Sequence, residues 1–174
     1  GDVYKRQNLV ALPKNTPVCA GSQLLYQGKK FNIRMGDGKK VMQVGSDLIV
    51  PGPQSVISSR TKAFLKFQAR QALSAATDHY AEGLGRSYGK LTLRDTISRW
   101  GSCSTRGNIS YSWRLIMAPP DVLNYVCAHE VAHLVEMNHS ANFWSVVEQI
   151  FPNYDHQRTW LKEHGEVLHS YQFK

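Results

Sequence analysis

The sequence predicts an α+β fold in which a small antiparallel β meander precedes a largely helical domain. Short apolar runs separated by glycine turns occupy residues 23–50, which favours β-hairpins. Apolar residues then recur at helical spacing from about residue 55 to 82, and Pro119 and Pro120 open a second, apolar helix. With 174 residues, 42% of them hydrophobic, the chain is long enough to bury a core.

Each predicted element has its own boundary signals. Gly83 and Gly85 end the first long helix, and Asp121 suits the first turn of the second one. A turn at 105–108 separates two predicted partner strands. The predicted strands are 24–26, 31–33, 41–44, 48–50, 91–93, 96–97, 99–104 and 109–117.

Composition excludes several classes of protein. No apolar run approaches the roughly 18 residues that a membrane span needs, and no period recurs, so a spanning protein and a repeat array are excluded. The cysteines at 19, 103 and 127 form no CxxC pair, which excludes a disulfide scaffold and a cysteine-rich zinc module. Such usage suits a reducing compartment, and we expect a cytoplasmic location.

The net charge of +8 suggests anionic partners, namely a nucleotide, an acidic substrate or nearby nucleic acid. The alternative is a generic basic surface, because the lysines and arginines are scattered along the chain. The sequence predicts no membrane partner and leaves the oligomeric state open.

Residues 1–7 (GDVYKRQ) resemble the translated end of a sequencing-library adaptor. We expect them to be non-native, which would mean that the natural start is missing, and we leave them out of the fold argument.

The chemistry-bearing motif is HExxH at residues 129–133. Histidines four apart lie on one helix face, so His129 and His133 can reach one metal ion. Glu130 emerges beside that face, where its carboxylate can accept a proton from water. His79, on the first long helix, is either an extra ligand or an exposed histidine.

The third ligand is predicted to be His139, six residues after His133. Six residues of continuous helix turn through about 600°, which would carry His139 off the metal face, so the helix must break. Asn138 is the expected breaker, and Ser140 is expected to cap a helix over 141–151. The rival ligands are the downstream carboxylates Glu148, Glu163 and Glu166.

Metzincin proteases have a similar spacing, but their glycine would fall at Glu136, and no methionine follows Met137 to form their Met-turn. A metzincin is therefore not expected. Glu136 itself either supports a ligand histidine or is a solvated charge at the helix end.

Flanking residues offer candidate substrate or oxyanion contacts: Arg99, Arg114 and Tyr154. The alternative for each arginine is a structural clamp on a carboxylate or helix end. A strand at residues 100–102 is expected to run beside the metal helix, with an edge that can pair with an extended peptide.

Several stretches together resemble the YgjP-like metal-dependent hydrolases. The resemblance is dense from about residue 91 to 165 and rests on RWGSCS (99–104), SWRLI (112–116), YVCAHEVAHL (125–134), NHS (138–140) and FW (143–144). It implies a zincin-like metallopeptidase fold, metal ligands at His129, His133 and His139, and a catalytic carboxylate at Glu130. It also implies kinship with SprT-like and WLM-type domains, which act near DNA-bound proteins. Family members usually begin with a further basic, strand-rich segment, which agrees with a truncated start.

We therefore expect residues 8–53 to form an incomplete β-hairpin region and residues 54–174 the zincin-like hydrolase domain. The function predicted is a hydrolase with one Zn²⁺ per chain, and peptide bonds are the first choice of substrate. One alternative is a metal-dependent hydrolase of nucleotide phosphoanhydrides, a pyrophosphatase. An alternative of another class is a nucleic-acid-associated binding module with an accessory metal, which would keep its salt-dependent DNA binding in Glu130→Gln.

Overall fold

A computed structural model describes residues 15–174. The predicted adaptor segment, 1–7, lies outside the described residues. The strands are β1 (Thr16–Pro17), β2 (Gln23–Tyr26), β3 (Lys29–Gly36), β4 (Met42–Val44), β5 (Asp47–Pro51), β6 (Leu91–Arg94), β7 (Gly101–Cys103), β8 (Ile109–Ser112) and β9 (Tyr171–Gln172). The α-helices are α1 (Gln54–Gly83), α2 (Pro120–Ala132), α3 (Ala141–Ile150) and α4 (Asp155–His164), with 3₁₀ helices at Trp113–Met117 and Gly165–His169.

The N-terminal sheet has the strand order β2-β3-β5-β4. Its two hairpins are antiparallel as predicted, but β3 and β5 pair in parallel, so the expectation of a purely antiparallel meander is wrong. The physical reason is burial. All three residues of β4 are exposed, whereas Leu48 and Val50 of β5 are buried, so β5 takes the inner position and β4 the edge.

The second sheet has the order β6-β8-β7, with β7 at its edge next to α2. The predicted hairpin of β7 and β8 is confirmed. The predicted strand over 109–117 is wrong beyond Ser112, whose hydroxyl accepts a hydrogen bond from the Arg114 backbone N–H and caps a 3₁₀ helix. The strand predicted at 96–97 is also wrong, because the Thr96 hydroxyl bonds to the Arg99 carbonyl and forms a local turn.

The predicted first long helix is confirmed as α1, which packs against α2 and the first 3₁₀ helix. One hydrophobic core runs from the N-terminal sheet through α1 to α2. Gly28 connects the two regions, because its backbone N–H donates to the Met117 carbonyl. A side chain is disfavoured here, since φ is +80° and an added Cβ would lie only 3.0 Å from Pro119. Strand β1 pairs in parallel with β9 and brings the chain ends of the described part together. The domain boundary after residue 53 stays a prediction.

Across residues 15–174, none of the helices combines the length and the apolar character that crossing a membrane requires.

Candidate metal centre

Helix α2 carries the HExxH residues into the interior. It begins after Pro119 with Pro120 in its first turn, and its flanking side chains are almost all buried. His129, Glu130 and His133 have 0%, 1% and 8% of their surface exposed. Buried polar side chains need hydrogen-bond or metal partners, so this segment is a candidate functional site.

The predicted break between His133 and His139 is confirmed, but its predicted cause is wrong. Helix α2 already ends at Ala132, with His133 as its C-cap residue. Asn138 is not left-handed, since the non-glycine residues with positive φ in the described part are Gln27 and Asn153. The chain instead turns directly after α2, where the backbone N–H groups of Val135 and Glu136 both donate to the Ala132 carbonyl.

Beyond this turn, Ser140 caps α3 as predicted. Its hydroxyl accepts a hydrogen bond from the Phe143 backbone N–H at 3.3 Å. The cap fixes where α3 starts, and His139, the preceding residue, is thereby held beside the two histidines of α2.

The three imidazoles converge. One nitrogen from each of His129, His133 and His139 lies within 4.8 Å of the other two. The Nε2 atoms of His129 and His139 are 3.3 Å apart. Two nitrogens bound to one tetrahedral zinc ion at about 2.0–2.1 Å would also be about 3.3 Å apart. The donor set and this separation therefore both fit a zinc ion.

The other ring nitrogens are oriented by neighbours. The Nδ1 of His129 lies 3.4 Å from the hydroxyl of Tyr125, and the Nδ1 of His133 lies 3.1 Å from the Glu136 carbonyl. Such contacts fix which nitrogen of a ligand histidine faces the metal. Glu136 thus supports a histidine through its main chain rather than its carboxylate.

Burial lowers the pKa of His129 well below 6.5, and the nearby His133, His139 and Arg158 lower it further. The neutral imidazole is favoured, and this is the form that binds metal ions.

Aromatic rings surround the cluster. Phe143 is fully buried, with its ring centroid 4.4–5.0 Å from those of the three histidines. Trp144 packs on His129, and Tyr154 stacks behind Trp144 at 5.2 Å. Tyr154 therefore lies one layer behind the histidines, and it does not line the cavity at the cluster. Sequence reasoning missed the contact of Tyr125, although its position four residues before His129 on the same helix predicts it.

A cavity of about 170 Å³ opens at the cluster. Its lining comprises Arg99, Gly101, Ser102, Cys103, Glu130, His133, Met137 and His139. Glu130 thus faces the same space as two of the histidines. A Cβ on Gly101 would lie 3.0 Å from Cγ and 3.1 Å from Oε2 of Glu130, so the glycine lets β7 approach the carboxylate. The sequence gives no signal for this contact.

The two candidate arginines differ. Arg99 is exposed and lines the cavity. The guanidinium of Arg114 is bound by the Asp95 carboxylate and by the carbonyls of Leu168 and Tyr171. Arg114 is therefore the structural clamp of the alternative interpretation. Its guanidinium N–H groups are already engaged and are not available to a substrate oxygen.

The rival ligands lie elsewhere. The Glu148 carboxylate accepts a hydrogen bond from the Asn153 backbone N–H, Glu163 is exposed, and His79 is exposed beside Tyr80. Within the described part, neither these residues nor Glu166 joins the group formed by the three histidines.

The family comparison gives the class of protein, a metal-dependent hydrolase with a mixed α+β fold. The chain belongs to the YgjP-like family, because the model of the YgjP-like metallopeptidase domain matches residues 3–164. No curated protein matches the chain. Among solved structures, the metallopeptidase zymogen abylysin of Pyrococcus abyssi is similar over 55% of this chain and 92% of its own, with 22% identity and a TM-score of 0.46.

Proposed function

We propose that the protein is a zinc-dependent peptidase with one zinc ion held by His129, His133 and His139. The observation that carries the proposal is the convergence of three imidazole nitrogens within 4.8 Å at a cavity that Glu130 also lines. A zinc ion with three protein ligands keeps one position open, polarises a carbonyl oxygen and increases the acidity of water.

Glu130 is the general base of the proposed reaction. In this proposal its carboxylate takes a proton from the attacking water and passes it to the leaving nitrogen of the peptide. The packing of β7 against α2 positions this carboxylate, since Gly101 leaves room for it.

Edge strand β7 is the proposed docking site for the substrate backbone. Trp100 and Ser104 use their main-chain groups in hydrogen bonds to Ser112 and Asn108. Along an antiparallel strand, successive residues direct their main-chain groups alternately toward and away from the partner strand, so Cys103 directs its main-chain groups away from β8. An extended peptide can add to such an edge and place its backbone at the histidines.

Substitution Glu130→Gln tests the proposal. The variant is expected to keep about one zinc per chain and to lose peptide hydrolysis by about 10²- to 10⁴-fold, because the amide cannot accept the proton. Turnover of quenched fluorescent peptides and elemental analysis measure the two quantities. Glu136→Gln is the matched control and should keep both.

Nucleoside triphosphates are included in the same substrate screen. Phosphate release without peptide cleavage would replace the peptidase proposal with the phosphoanhydride hydrolase. Full turnover in Glu130→Gln would contradict the assigned role of Glu130. The cytoplasmic location and any proximity to nucleic acid stay predictions.

A further inference from the structure

Arginine side chains line two cavities that adjoin the cavity at the three histidines, which together we call the metal cleft. One cavity of about 370 Å³ is lined by Arg94 and Arg99, and a second of about 410 Å³ is lined by Arg86 and Arg106. The first shares Arg99, Ser102 and Cys103 with the cavity at the histidines, and the second shares His133 and Met137 with it. The cavity at the histidines therefore adjoins both of the others, which also share Ser104 directly after β7.

Within residues 15–174, carboxylates do not neutralise Arg99 or Arg106. Asp95 is close in sequence to both Arg94 and Arg99, but its two oxygens are bound by Arg114 at 2.6 and 3.3 Å. Among residues 15–174, neither Arg99 nor Arg106 makes an ion pair or a side-chain hydrogen bond. Glu130 is the acidic residue in the lining of the three cavities.

Arg86 is less available than the others. It also lines a separate cavity together with Asp78 and Glu82, whose charges offset its own. Arg99 and Arg106 are therefore the two arginines most available to bind an anionic ligand at the histidine cavity.

The outer face of the sheet beside Arg99 is polar. The strand register places Thr92, Ser110 and Ser102 side by side across it, and the hydroxyls of Ser102 and Ser110 are 2.6 Å apart. A row of hydroxyls next to an arginine suits an oxygen-rich anion rather than an apolar side chain.

We propose that the cleft selects extended peptides with carboxylate side chains on both sides of the scissile bond, and that Arg99 and Arg106 determine this specificity. The inference rests on the proposed peptidase function. Arg99 precedes β7 and Arg106 follows it, so a peptide lying along this strand passes both. At about 3.3 Å per residue, each arginine reaches side chains about two or three residues from the central bond. A peptide, unlike a nucleic acid, can also pair through its backbone with Cys103 at the β7 edge.

The test uses quenched fluorescent peptides that differ in having Asp or Asn two or three residues before or after the cleaved bond. In the wild type we expect kcat/KM to be about tenfold higher for each Asp peptide, as one charge-assisted contact provides. Arg99→Gln should abolish the advantage on one side of the bond and Arg106→Gln the advantage on the other. Arg34→Gln, on the N-terminal sheet, is the control and should keep both advantages. Arg34→Gln should also cleave the Asn peptides as the wild type does.

Equal cleavage of Asp and Asn peptides by the wild type would overturn the inference and leave the peptidase function intact. Persistence of both advantages in the two variants would also overturn it. Absence of cleavage for every peptide would instead remove the proposed function. A single-stranded oligonucleotide is added as a competitor. If it blocks cleavage far more strongly than an Asp peptide does, and Arg99→Gln relieves the block, the arginines serve nucleic acid and the inference is wrong.

Discussion

At the scale of single residues, the account depends on how Glu130 is held. The carboxylate is buried between α2 and β7 and faces the cavity that holds His133 and His139. Gly101 is the neighbour that sets the available space, because its missing side chain leaves room for Cγ and Oε2 of Glu130. The position of the proposed base is thus set by a residue that carries no chemistry itself.

The substitution Gly101→Ala should therefore reduce turnover without removing the metal. Its Cβ would lie 3.0 Å from Glu130 Cγ, a contact that pushes the carboxylate away from its present place. We expect kcat to fall about tenfold or more, as misplacement of a catalytic group by a fraction of an ångström does, while zinc content stays unchanged.

Steady-state kinetics and elemental analysis check this expectation. Gly83→Ala, at the end of α1, is the control, because a Cβ there meets nothing within 4 Å. Unchanged kcat in Gly101→Ala would show that the carboxylate position is not critical.

Local spacing predicts part of the site at this scale. The spacing within HExxH brings His129, Glu130 and His133 together because one helix carries all three. The clamp on Arg114 and the space at Gly101 could not be predicted in this way. Their partners come from other elements of the chain, and only the folded structure shows that they meet.

At the scale of elements, the turn that ends α2 and the start of α3 position His139. The turn after Ala132 redirects the chain, and Ser140 then starts α3 one residue after His139. The side-chain cap thus contributes both to helix stability and to the arrangement of the histidines.

Removing the cap by Ser140→Ala should lower the free energy of unfolding by about 1 kcal/mol, the usual contribution of such a hydrogen bond. It should also weaken zinc binding, because His139 loses a fixed neighbour. Urea unfolding and competition with a chelator measure the two effects. Ser145→Ala, an exposed serine within α3, is the control.

A loss of stability in Ser140→Ala without any change in zinc affinity would contradict the proposed coupling between the cap and His139.

The elements were predictable where the signal is local. Proline and glycine signals gave both ends of α1 and the start of α2 close to their observed positions, since helix ends depend on neighbouring residues. The end of α2 was predicted at Asn138, whereas the helix ends at Ala132. The parallel pairing of β3 with β5 depends on which strand is buried most deeply. The 3₁₀ helix after Ser112 depends on one side-chain cap. The alternation of apolar residues along the chain therefore predicts neither the parallel pairing nor this helix.

At the scale of the whole molecule, one core connects the N-terminal sheet to the metal helix. Cys127 is part of this core, fully buried on α2, with its thiol 3.9 Å from the Leu73 carbonyl of α1. Burial raises the pKa of this thiol to about 12. The fold therefore holds Cys127 protonated and stabilises that form.

Stability should consequently fall in alkaline solution. A thiol in the unfolded chain begins to ionise near its ordinary value of 9.0, whereas Cys127 in the folded chain does so near 12. Between these two pH values the folded chain keeps a thiol proton that the unfolded chain has lost. The free energy of unfolding therefore falls by about 1.4 kcal/mol per pH unit from this group. Below pH 9 its stabilisation is fully present.

Urea unfolding from pH 8 to 10.5 measures this slope, and Cys127→Ala should reduce it by about one proton. An identical slope in the variant would show that the buried thiol does not contribute.

The central claim is a zinc site made by three histidines, and the zinc content of the purified chain tests it most directly. We predict about one zinc per chain in the wild type, markedly less in His139→Ala, and an unchanged value in His79→Ala, whose histidine is exposed on α1. A wild type without metal, or a full complement of zinc in His139→Ala, would contradict the three-histidine site.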